Sequence, residues 1–299
     1  MTHGKIVKAL SGFYDVLIDD QVYRCKGRGV FRNQKITPLV GDYVEVTLQE
    51  SKDGEEGQVG TIQVVKDRIN QLVRPPIANV DQAIIVTSMV EPDFNPLLLD
   101  RFLVLVEDKE IKPLLLFSKK DLLDNETQEI MQNYADIYRR IGYDVLMVSS
   151  KVGDLTTTLK PYLKDKVSVI AGQSGVGKST ILNNLDPHLN IETGDISKSL
   201  GRGKHTTRHV ELFMVGGGFV ADTPGFSALE FDELSLEDIR FCFREFLLYE
   251  ESCKFRGCYH INEPKCAIKK AVQDGEIEEF RYHHYQQFYE EIKNRKPRY

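Results

Sequence analysis

The chain has 299 residues, of which 41% are hydrophobic and 28% are charged, and its net charge is −6. This length predicts more than one domain, and this composition excludes collagen-like, mucin-like and wholly disordered proteins. No apolar run reaches the roughly 18 residues of a membrane helix, and the first ten residues lack the apolar stretch of a secretory signal. We therefore expect a cytoplasmic protein that has no membrane partner.

Residues 1–70 are predicted to form an all-β, OB-like barrel that binds RNA. The segments Gly12–Ile18, Asp42–Leu48 and Gly60–Val65 alternate apolar and polar residues, and turn-rich stretches separate them. Residues 1–40 carry seven lysines and arginines against three aspartates. Aromatic residues among these cations suit oligonucleotide binding, although we expect about half of them to be core. They are Phe13, Tyr14, Tyr23 and Phe31.

Residues 71–230 are predicted to form a central α/β domain, which follows a linker at Arg74-Pro75-Pro76. Short apolar runs alternate with segments of helical period, and this pattern predicts a mostly parallel sheet with helices on both faces. The predicted strands are Gln82–Ser88, Pro113–Ser118, Asp144–Ser149, Val167–Ala171, Val210–Val215 and Gly218–Ala221. The predicted helices are Leu97–Asp108, Glu126–Ile141, Leu155–Leu163 and Ser179–Leu185.

A phosphate-binding loop lies between the predicted strand Val167–Ala171 and the helix that starts at Ser179. Its sequence, GQSGVGKS, matches the full pattern G-x-x-x-x-G-K-[ST]. Backbone N–H groups in such a loop face phosphate oxygens, Lys178 reaches the β- and γ-phosphates, and the Ser179 hydroxyl binds Mg²⁺. The predicted nucleotide contacts here are Gly172, Gln173, Ser174, Gly175, Val176, Gly177, Lys178, Ser179 and Thr180.

Three further segments follow apolar strands and complete the predicted nucleotide site. Asp222 opens the sequence DTPG, in which the carboxylate holds a Mg²⁺-bound water and the N–H of Gly225 meets the γ-phosphate. Asp121 is predicted to read guanine, because its carboxylate accepts from both N1–H and the exocyclic amine, a donor pair that adenine lacks. The base-binding residues are Ser118, Lys119 and Asp121 after one strand and Ser149, Ser150 and Lys151 after another.

The segment Gly201–His209, GRGKHTTRH, is the predicted switch between the phosphate loop and the DTPG strand. Thr206 or Thr207 would complete the Mg²⁺ coordination, and we assign this role to Thr207 although the sequence does not choose between them. Phe226 stands where Ras-like enzymes have a glutamine that orients the attacking water, so we expect hydrolysis to be slow in the absence of a partner.

Residues 231–299 are predicted to form a helical module that binds one structural zinc ion. The spacing Cys253-x4-Cys258-x-His260-x5-Cys266 supplies four ligands for a closed tetrahedral site. Helices are expected at Ser235–Tyr249 and Gly275–Lys293 on either side of it. Cys242 and Cys25 are interpreted as ordinary buried thiols. The tail Lys293–Tyr299, with Arg281, His283 and His284, adds cations that either contact RNA or are merely solvated.

Together these motifs resemble the circularly permuted, ribosome-small-subunit-dependent GTPases of the RsgA family. The base-reading segments precede the phosphate loop, whereas GTPases usually have them last, and GQSGVGKS, GRGKHTTRH, DTPGF and the Cys/His spacing occur in one chain. Chain order can change because strand positions build the site. The resemblance implies that His205 orients the attacking water, although contact with RNA or solvent is the alternative. Ser118 departs from the asparagine of the usual N-K-x-D motif.

The resemblance also implies the partner and the activity. We expect a monomeric GTPase that binds GTP and GDP, Mg²⁺ and the ribosomal RNA of the small subunit, and that hydrolyses GTP late in the assembly of this subunit. The catalytic residues would be Lys178, His205 and Thr207. The alternative is an RNA-binding assembly factor that is gated by GTP and in which hydrolysis is incidental. An ATP-using kinase is disfavoured by Asp121.

Overall fold

The described residues of this chain, in a computed structural model, are 1–49, 59–73, 75–153, 155–189, 210–222 and 231–295. The chain divides into two compact units. The first comprises Met1–Ile84 and Val152–Ser227, and the second comprises Ile85–Lys151 and Ala228–Tyr299. Among the described helices, none is both long and apolar enough to cross a membrane.

The chain begins with a closed five-stranded barrel. Its strands are β1 (Thr2–Leu10), β2 (Phe13–Ile18), β3 (Gln21–Gly27), β4 (Tyr43–Gln49) and β5 (Val59–Val65), with a short helix α1 (Val30–Asn33) before β4. The strand order is β1-β2-β3-β5-β4, and β4 pairs back onto β1. All these pairs are antiparallel except β3–β5, which is parallel. This closure confirms the predicted OB-like barrel.

The interior of the barrel is filled by alternate residues of its strands, as expected for a sheet that buries one face. The residues at most 1% exposed are Ile6, Val16, Cys25, Val44, Val46 and Ile62. Burial, with a smaller effect of Asp15, raises the pKa of the Cys25 thiol to about 11. Cys25 is therefore a packing residue, as predicted. Of the four aromatic residues, Phe31 is buried and the other three are half-buried.

The prolines Pro75 and Pro76 lie in the turn of a small hairpin rather than in a solvated linker. Its strands are β6 (Gln71–Leu72) and β7 (Ile77–Ala78), which pair antiparallel. Ile77 and Ala78 have no exposed surface, and Ile77 forms a bridge with Val40. Apolar burial therefore attaches this segment to the first unit. The prediction of a linker depends only on the local preferences of proline, which do not indicate this burial.

The central part of the chain alternates strands and helices, close to the predicted bounds. These elements are β8 (Gln82–Ser88), α2 (Pro96–Glu107), β9 (Lys112–Ser118), α3 (Asn125–Ile141), β10 (Asp144–Met147), α4 (Leu155–Leu163), β11 (Val167–Ala171), α5 (Lys178–Leu185), β12 (Glu211–Val215) and β13 (Gly218–Asp222). In the second unit β9 lies between β8 and β10 and runs parallel to β10. In the first unit β13 runs parallel to β11 and antiparallel to β12.

The first strand of the barrel also belongs to the sheet of the first unit. Lys8 of β1 faces Asp15 of β2 on one side and Glu211 of β12 on the other. The register of β1 shifts between Ile6 and Lys8, so a bulge lies at this point. The strand order of the first unit is therefore β11-β13-β12-β1-β2-β3-β5-β4.

The C-terminal region differs from the predicted pair of helices. The segment Ser235–Tyr249 is not one helix, because its regular parts are the 3₁₀ turns Ile239–Cys242 and Arg244–Leu248. Phe243 between them has extended backbone angles, and its fully buried ring packs against Phe246 and Tyr285. Aromatic packing thus overrides helical propensity here. The helices that follow are α6 (Ala267–Gln273) and α7 (Glu279–Lys293).

A buried group of polar and charged side chains joins α7 to α2, and we call it the Arg281 cluster. Its members are Asp100, Tyr138, Glu245, Arg281 and His284, all at most 9% exposed. Arg281 donates to Asp100 and, at 2.7 and 3.1 Å, to both oxygens of Glu245. Tyr138 donates to Oδ1 of Asp100 at 2.7 Å. His284 Nδ1 lies 2.5 Å from Oδ2 of Asp100. Arg281 and His284 are therefore core residues, and the prediction that they contact RNA or solvent is wrong.

Candidate functional site

The predicted phosphate loop connects β11 to α5 in the first unit. Its backbone turns through positive φ at Gly175 (82°) and Gly177 (98°), a region that L-residues with a side chain rarely adopt. Val176 between them is 2% exposed, so it anchors the loop in the core. The glycines and the buried valine together give the loop its shape.

The side chain of Lys178 lies across this loop. Its Nζ donates to the carbonyls of Gly172 and Gln173, each at 2.7 Å. Ser179 and Thr180 follow in the first turn of α5, where backbone N–H groups have no partner within the helix. An ammonium group above a helix N-terminus can bind the phosphates of a nucleotide. The predicted phosphate contacts therefore lie together on one loop.

The predicted base-binding residues lie in the second unit, at the carboxyl ends of β9 and β10. Ser118 ends β9 and is 4% exposed, and its hydroxyl donates to the carbonyl of Thr87 at 3.1 Å. Lys119 has a positive φ of 64°, and its ammonium donates to the carbonyl of Glu91. The N–H of Lys120 donates to the carbonyl of Val148, next to Ser149, at 3.1 Å. The two loops are thus hydrogen-bonded to each other.

Asp121 is held by residues of the second loop. The Ser149 hydroxyl donates to Oδ1 of Asp121 at 2.6 Å, and the N–H of Lys151 donates to that hydroxyl at 3.0 Å. Lys151 Nζ lies 3.7 Å from Oδ2. The Ser149 hydrogen bond, with smaller effects of the Asp121 backbone N–H and of the Lys151 charge, lowers the pKa of Asp121. The carboxylate therefore stays ionised, in the form that accepts from two donors of a base.

Asp222 is the last residue of β13, and its backbone stands opposite Glu211 of β12. The other residues that are predicted to act near the γ-phosphate lie outside the described residues. They are His205, Thr206, Thr207, Gly225 and Phe226. Their roles remain predictions.

Four predicted metal ligands come together in the second unit. The ligand atoms of Cys253, Cys258, His260 and Cys266 all lie within 4.8 Å of one another. The Sγ atoms of Cys253 and Cys266 are 4.0 Å apart, and His260 Nδ1 lies 3.6 and 3.3 Å from them. In a tetrahedral zinc site, bonds of about 2.3 Å to sulfur and 2.05 Å to nitrogen separate two sulfurs by about 3.8 Å and sulfur from nitrogen by about 3.6 Å. The cluster therefore has the dimensions of a closed metal site.

The chemistry of this cluster also suits a metal ion. Burial raises the pKa of the Cys258 thiol to about 12 and, with a smaller effect of Arg240, lowers the pKa of His260 to about 4. The low pKa of His260 keeps its imidazole neutral, the form that binds a metal ion, and such an ion would displace the protons of the buried thiols. The N–H of Ala267 donates to Cys253 Sγ at 3.3 Å, a contact that stabilises a thiolate.

Two residues that none of the sequence motifs identifies, Glu263 and Tyr282, support this cluster. Glu263 accepts from the N–H groups of Tyr259 and Ile261 at 2.9 and 3.0 Å, and Tyr282 donates to the carbonyl of His260 at 2.7 Å. These bonds hold the His260 backbone, whose φ is 59°. The acidic residue three positions after the histidine is a signal that could have identified Glu263. Nothing local marks Tyr282, which reaches the loop from α7.

Comparisons with known proteins agree with this arrangement over the whole chain. A family model described as the RsgA GTPase matches residues 65–232, and one described as the RsgA N-terminal domain matches residues 3–55. The small ribosomal subunit biogenesis GTPase RsgA 2 of Oceanobacillus iheyensis is 60% identical over 299 residues, and RsgA of Bacillus subtilis is 53% identical over 304 residues. Each match covers 100% of both chains.

Two solved structures have the same fold. YloQ, described as a circularly permuted GTPase, is 50% identical with a TM-score of 0.84, and the match covers 100% of this chain and 97% of YloQ. YjeQ of Thermotoga maritima is 36% identical with a TM-score of 0.85, and the match covers 99% of each chain. The motif order, the barrel and the full-length similarity agree: the chain belongs to the RsgA family of circularly permuted GTPases and is a GTP hydrolase.

Proposed function

We propose that this chain hydrolyses GTP to GDP and phosphate on the small ribosomal subunit, late in the maturation of that subunit. The observation that carries the proposal is the full-length identity of 53–60% to proteins named small ribosomal subunit biogenesis GTPases. We further propose that the protein acts as a monomer in the cytoplasm. The OB-like barrel, the GTPase motifs and the metal cluster provide the parts that this function needs.

The proposed contacts with the nucleotide divide into those with its phosphates and those with its base. Lys178 and the N–H groups of its loop neutralise the phosphates, and Ser179, with Thr207, binds the Mg²⁺ that accompanies GTP. Asp121 accepts from guanine, and the Ser150 backbone, next to Ser149, donates to the guanine oxygen. Phosphoryl transfer needs positioning and charge stabilisation more than covalent chemistry, so a site of this kind suffices once a water is oriented. We propose that His205 orients this water.

The barrel offers a surface for ribosomal RNA. The guanidinium of Arg24 lies 4.8 Å from the centre of the Phe13 ring, and Lys26 Nζ lies 4.9 Å from it. Phe13 is half-buried, so part of its ring faces solvent. Aromatic rings beside cations bind bases by stacking and phosphates by charge. We also propose three domains, a barrel (1–70), a GTPase domain (71–230) and a helical metal-binding domain (231–299), whose bounds lie near those of the family matches.

Turnover measurements test this function. We expect GTP hydrolysis by the full chain to be slow alone and to rise at least tenfold, as a coupling of about 1.4 kcal/mol would produce, when small ribosomal subunits are added. Lys178→Ala should be inactive in both conditions. Equal turnover with and without subunits would contradict the proposal. If GTP then tightens binding of the subunit without faster hydrolysis, the chain is the GTP-gated RNA-binding factor instead.

The Ser149 hydroxyl should control the pH dependence of guanine binding. Because its hydrogen bond lowers the pKa of Asp121, the parent protein should keep its affinity for GDP until the pH falls below the usual pKa of an aspartate side chain. Ser149→Ala should raise this pKa and move the loss of GDP affinity to a higher pH. Dissociation constants measured by fluorescence titration between about pH 2.5 and 7, in steps of about half a pH unit, would show the shift.

A matched control exists in the same unit. Ser235 donates to Asp238 at 2.5 Å on the surface, and Ser235→Ala removes a serine–aspartate bond outside the predicted nucleotide loops. It should leave the profile of GDP binding unchanged. Identical profiles for Ser149→Ala and the parent protein would show that Ser149 does not set the charge of Asp121.

We propose that the metal of the Cys253–Cys266 cluster is zinc, one ion per chain, in a structural role. Three thiolates and an imidazole without a further ligand position suit this ion. Metal analysis of the purified protein should find zinc, and Cys266→Ala should lose it and lower the unfolding temperature by about 10 °C. Cys242→Ala, which removes a buried thiol outside the cluster, should keep the zinc. A metal-free parent protein with undiminished stability would contradict this assignment.

A further inference from the structure

Strand β1 takes part in two kinds of pairing. Its first half, Thr2–Lys5, pairs with β4 and closes the barrel. After the bulge, Lys8 faces Glu211 of β12, in the sheet that contains the phosphate-loop strand β11. The barrel and this sheet therefore share one continuous strand.

An ion pair lies at the point where β1 meets β12. Lys8 Nζ is 2.7 Å from Oε2 of Glu211, and each side chain is about one-third exposed. The backbone of Glu211 stands opposite that of Asp222 on the next strand. Lys8, Glu211 and Asp222 thus occupy one row across three strands. The row begins in the barrel and ends at the residue predicted to hold the Mg²⁺-bound water.

Strand β12 is connected to both segments that are predicted to contact the γ-phosphate, the switch and the DTPG sequence that begins at Asp222. It starts two residues after the predicted switch Gly201–His209. Its partner β13 ends at Asp222 and pairs with β11, which leads into the phosphate loop. A displacement of β12 therefore changes the backbone position of Asp222 relative to its neighbours.

A second contact from β1 reaches the other end of β13. Lys5 Nζ lies 4.4 Å from the centre of the Tyr43 ring of the barrel and 5.4 Å from that of Phe219, the second residue of β13. Cation–aromatic contacts of this kind are attractive. The barrel therefore touches β13 directly near its start and, through β12, opposite its end.

We propose that Lys8 and Glu211 are positioning residues for GTP hydrolysis: their ion pair holds β12, and through it Asp222, in register with the barrel. A partner that binds the barrel, such as ribosomal RNA, then changes the rate of GTP hydrolysis through Lys8, Glu211 and Asp222. The inference about RNA rests on the proposed function, whereas the positioning effect applies to basal hydrolysis as well. Neither residue is a predicted contact of the nucleotide.

Charge reversal in the full chain tests the proposal. Lys8→Glu places two carboxylates opposite each other, and Glu211→Lys places two ammonium groups there. Each should lower kcat about fivefold and raise the Mg²⁺ concentration for half-maximal turnover, with the KM for GTP within about twofold of the parent. The double variant Lys8→Glu/Glu211→Lys restores an ion pair and should recover kcat to within about twofold.

The readouts separate positioning from folding. An exposed pair contributes at most about 1 kcal/mol to stability, so the unfolding temperatures of the single variants should stay close to that of the parent. Lys112 and Asp144, 2.9 Å apart on β9 and β10, form a matched cross-strand pair in the second unit. Lys112→Glu should leave kcat and the Mg²⁺ dependence unchanged.

Three results would overturn the proposal: parental kcat in both single variants, a double variant no faster than the single ones, or an equal loss in Lys112→Glu. Absence of stimulation by small ribosomal subunits in the parent protein would contradict the proposed function alone. Basal kcat and the Mg²⁺ dependence of the charge-reversal variants would still decide whether Lys8 and Glu211 act as positioning residues.

Discussion

Asp121→Asn should lower the affinity for GDP about a thousandfold, because two charge-assisted hydrogen bonds to guanine are replaced by one neutral bond and one donor–donor contact. The asparagine oxygen can still accept from the Ser149 hydroxyl, so the loop should keep its shape. The amide instead suits xanthine, which has a carbonyl where guanine has its amine. We therefore expect the variant to bind xanthosine diphosphate more tightly than GDP in equilibrium titrations.

The neighbouring Asp124 provides the control for this prediction. It caps the first turn of α3 by accepting from the N–H of Thr127 at 2.8 Å, a role that asparagine fulfils equally well. Asp124→Asn should bind GDP like the parent protein. If Asp121→Asn also kept parental GDP affinity, or if the parent bound ADP as tightly as GDP, Asp121 would not be the residue that reads the base.

Arg281→Leu should lower the free energy of unfolding by about 4 kcal/mol. It removes the only buried cation that lies between Asp100 and Glu245 among the described residues of the Arg281 cluster, and it leaves two buried carboxylates without their shared partner. Breaking a buried ion pair from one side costs about 3–5 kcal/mol, since an uncompensated charge remains in the core. Urea denaturation followed by circular dichroism would measure the loss.

Two further variants show whether charge is the cause. Arg140 pairs with Glu278 at 2.6 Å on the surface, and Arg140→Leu should cost less than about 1 kcal/mol. Replacing Asp100 and Glu245 by asparagine and glutamine in the Arg281→Leu background should recover part of the stability, because the stranded charges disappear. If the triple variant were less stable than Arg281→Leu, lost packing rather than unpaired charge would explain the effect.

The features that the sequence predicted well depend on local patterns. The bounds of β8, β11 and α4 follow from short apolar runs and helical periodicity, and the phosphate loop follows from glycine and lysine spacing. The four metal ligands lie within fourteen residues, so their spacing indicates one site, and the family resemblance strengthens this prediction. In each case the interacting residues are close together in the chain.

The features that the sequence did not predict depend on distant contacts. Lys8 is one of the cations of the barrel segment, but its partner Glu211 lies 203 residues further on. Arg281 looked like a surface cation because charged residues are seldom fully buried, and its partners come from α2 and from a 3₁₀ turn. Phe243 interrupts a segment of helical composition because its ring fits the aromatic core around Tyr285. Neither the register of a strand nor the packing of a core can be read from local spacing.

The shared strand β1 has a consequence for attempts to isolate the enzymatic part of the molecule. A truncated chain that starts after the barrel would lack the strand that Lys8 contributes beside β12. Backbone groups of β12 that β1 covers would then form a free sheet margin, open to pairing with another copy of the same fragment. Such a fragment should self-associate, and fusing a short strand with the sequence of residues 2–10 to its N-terminus should restore a non-aggregating species.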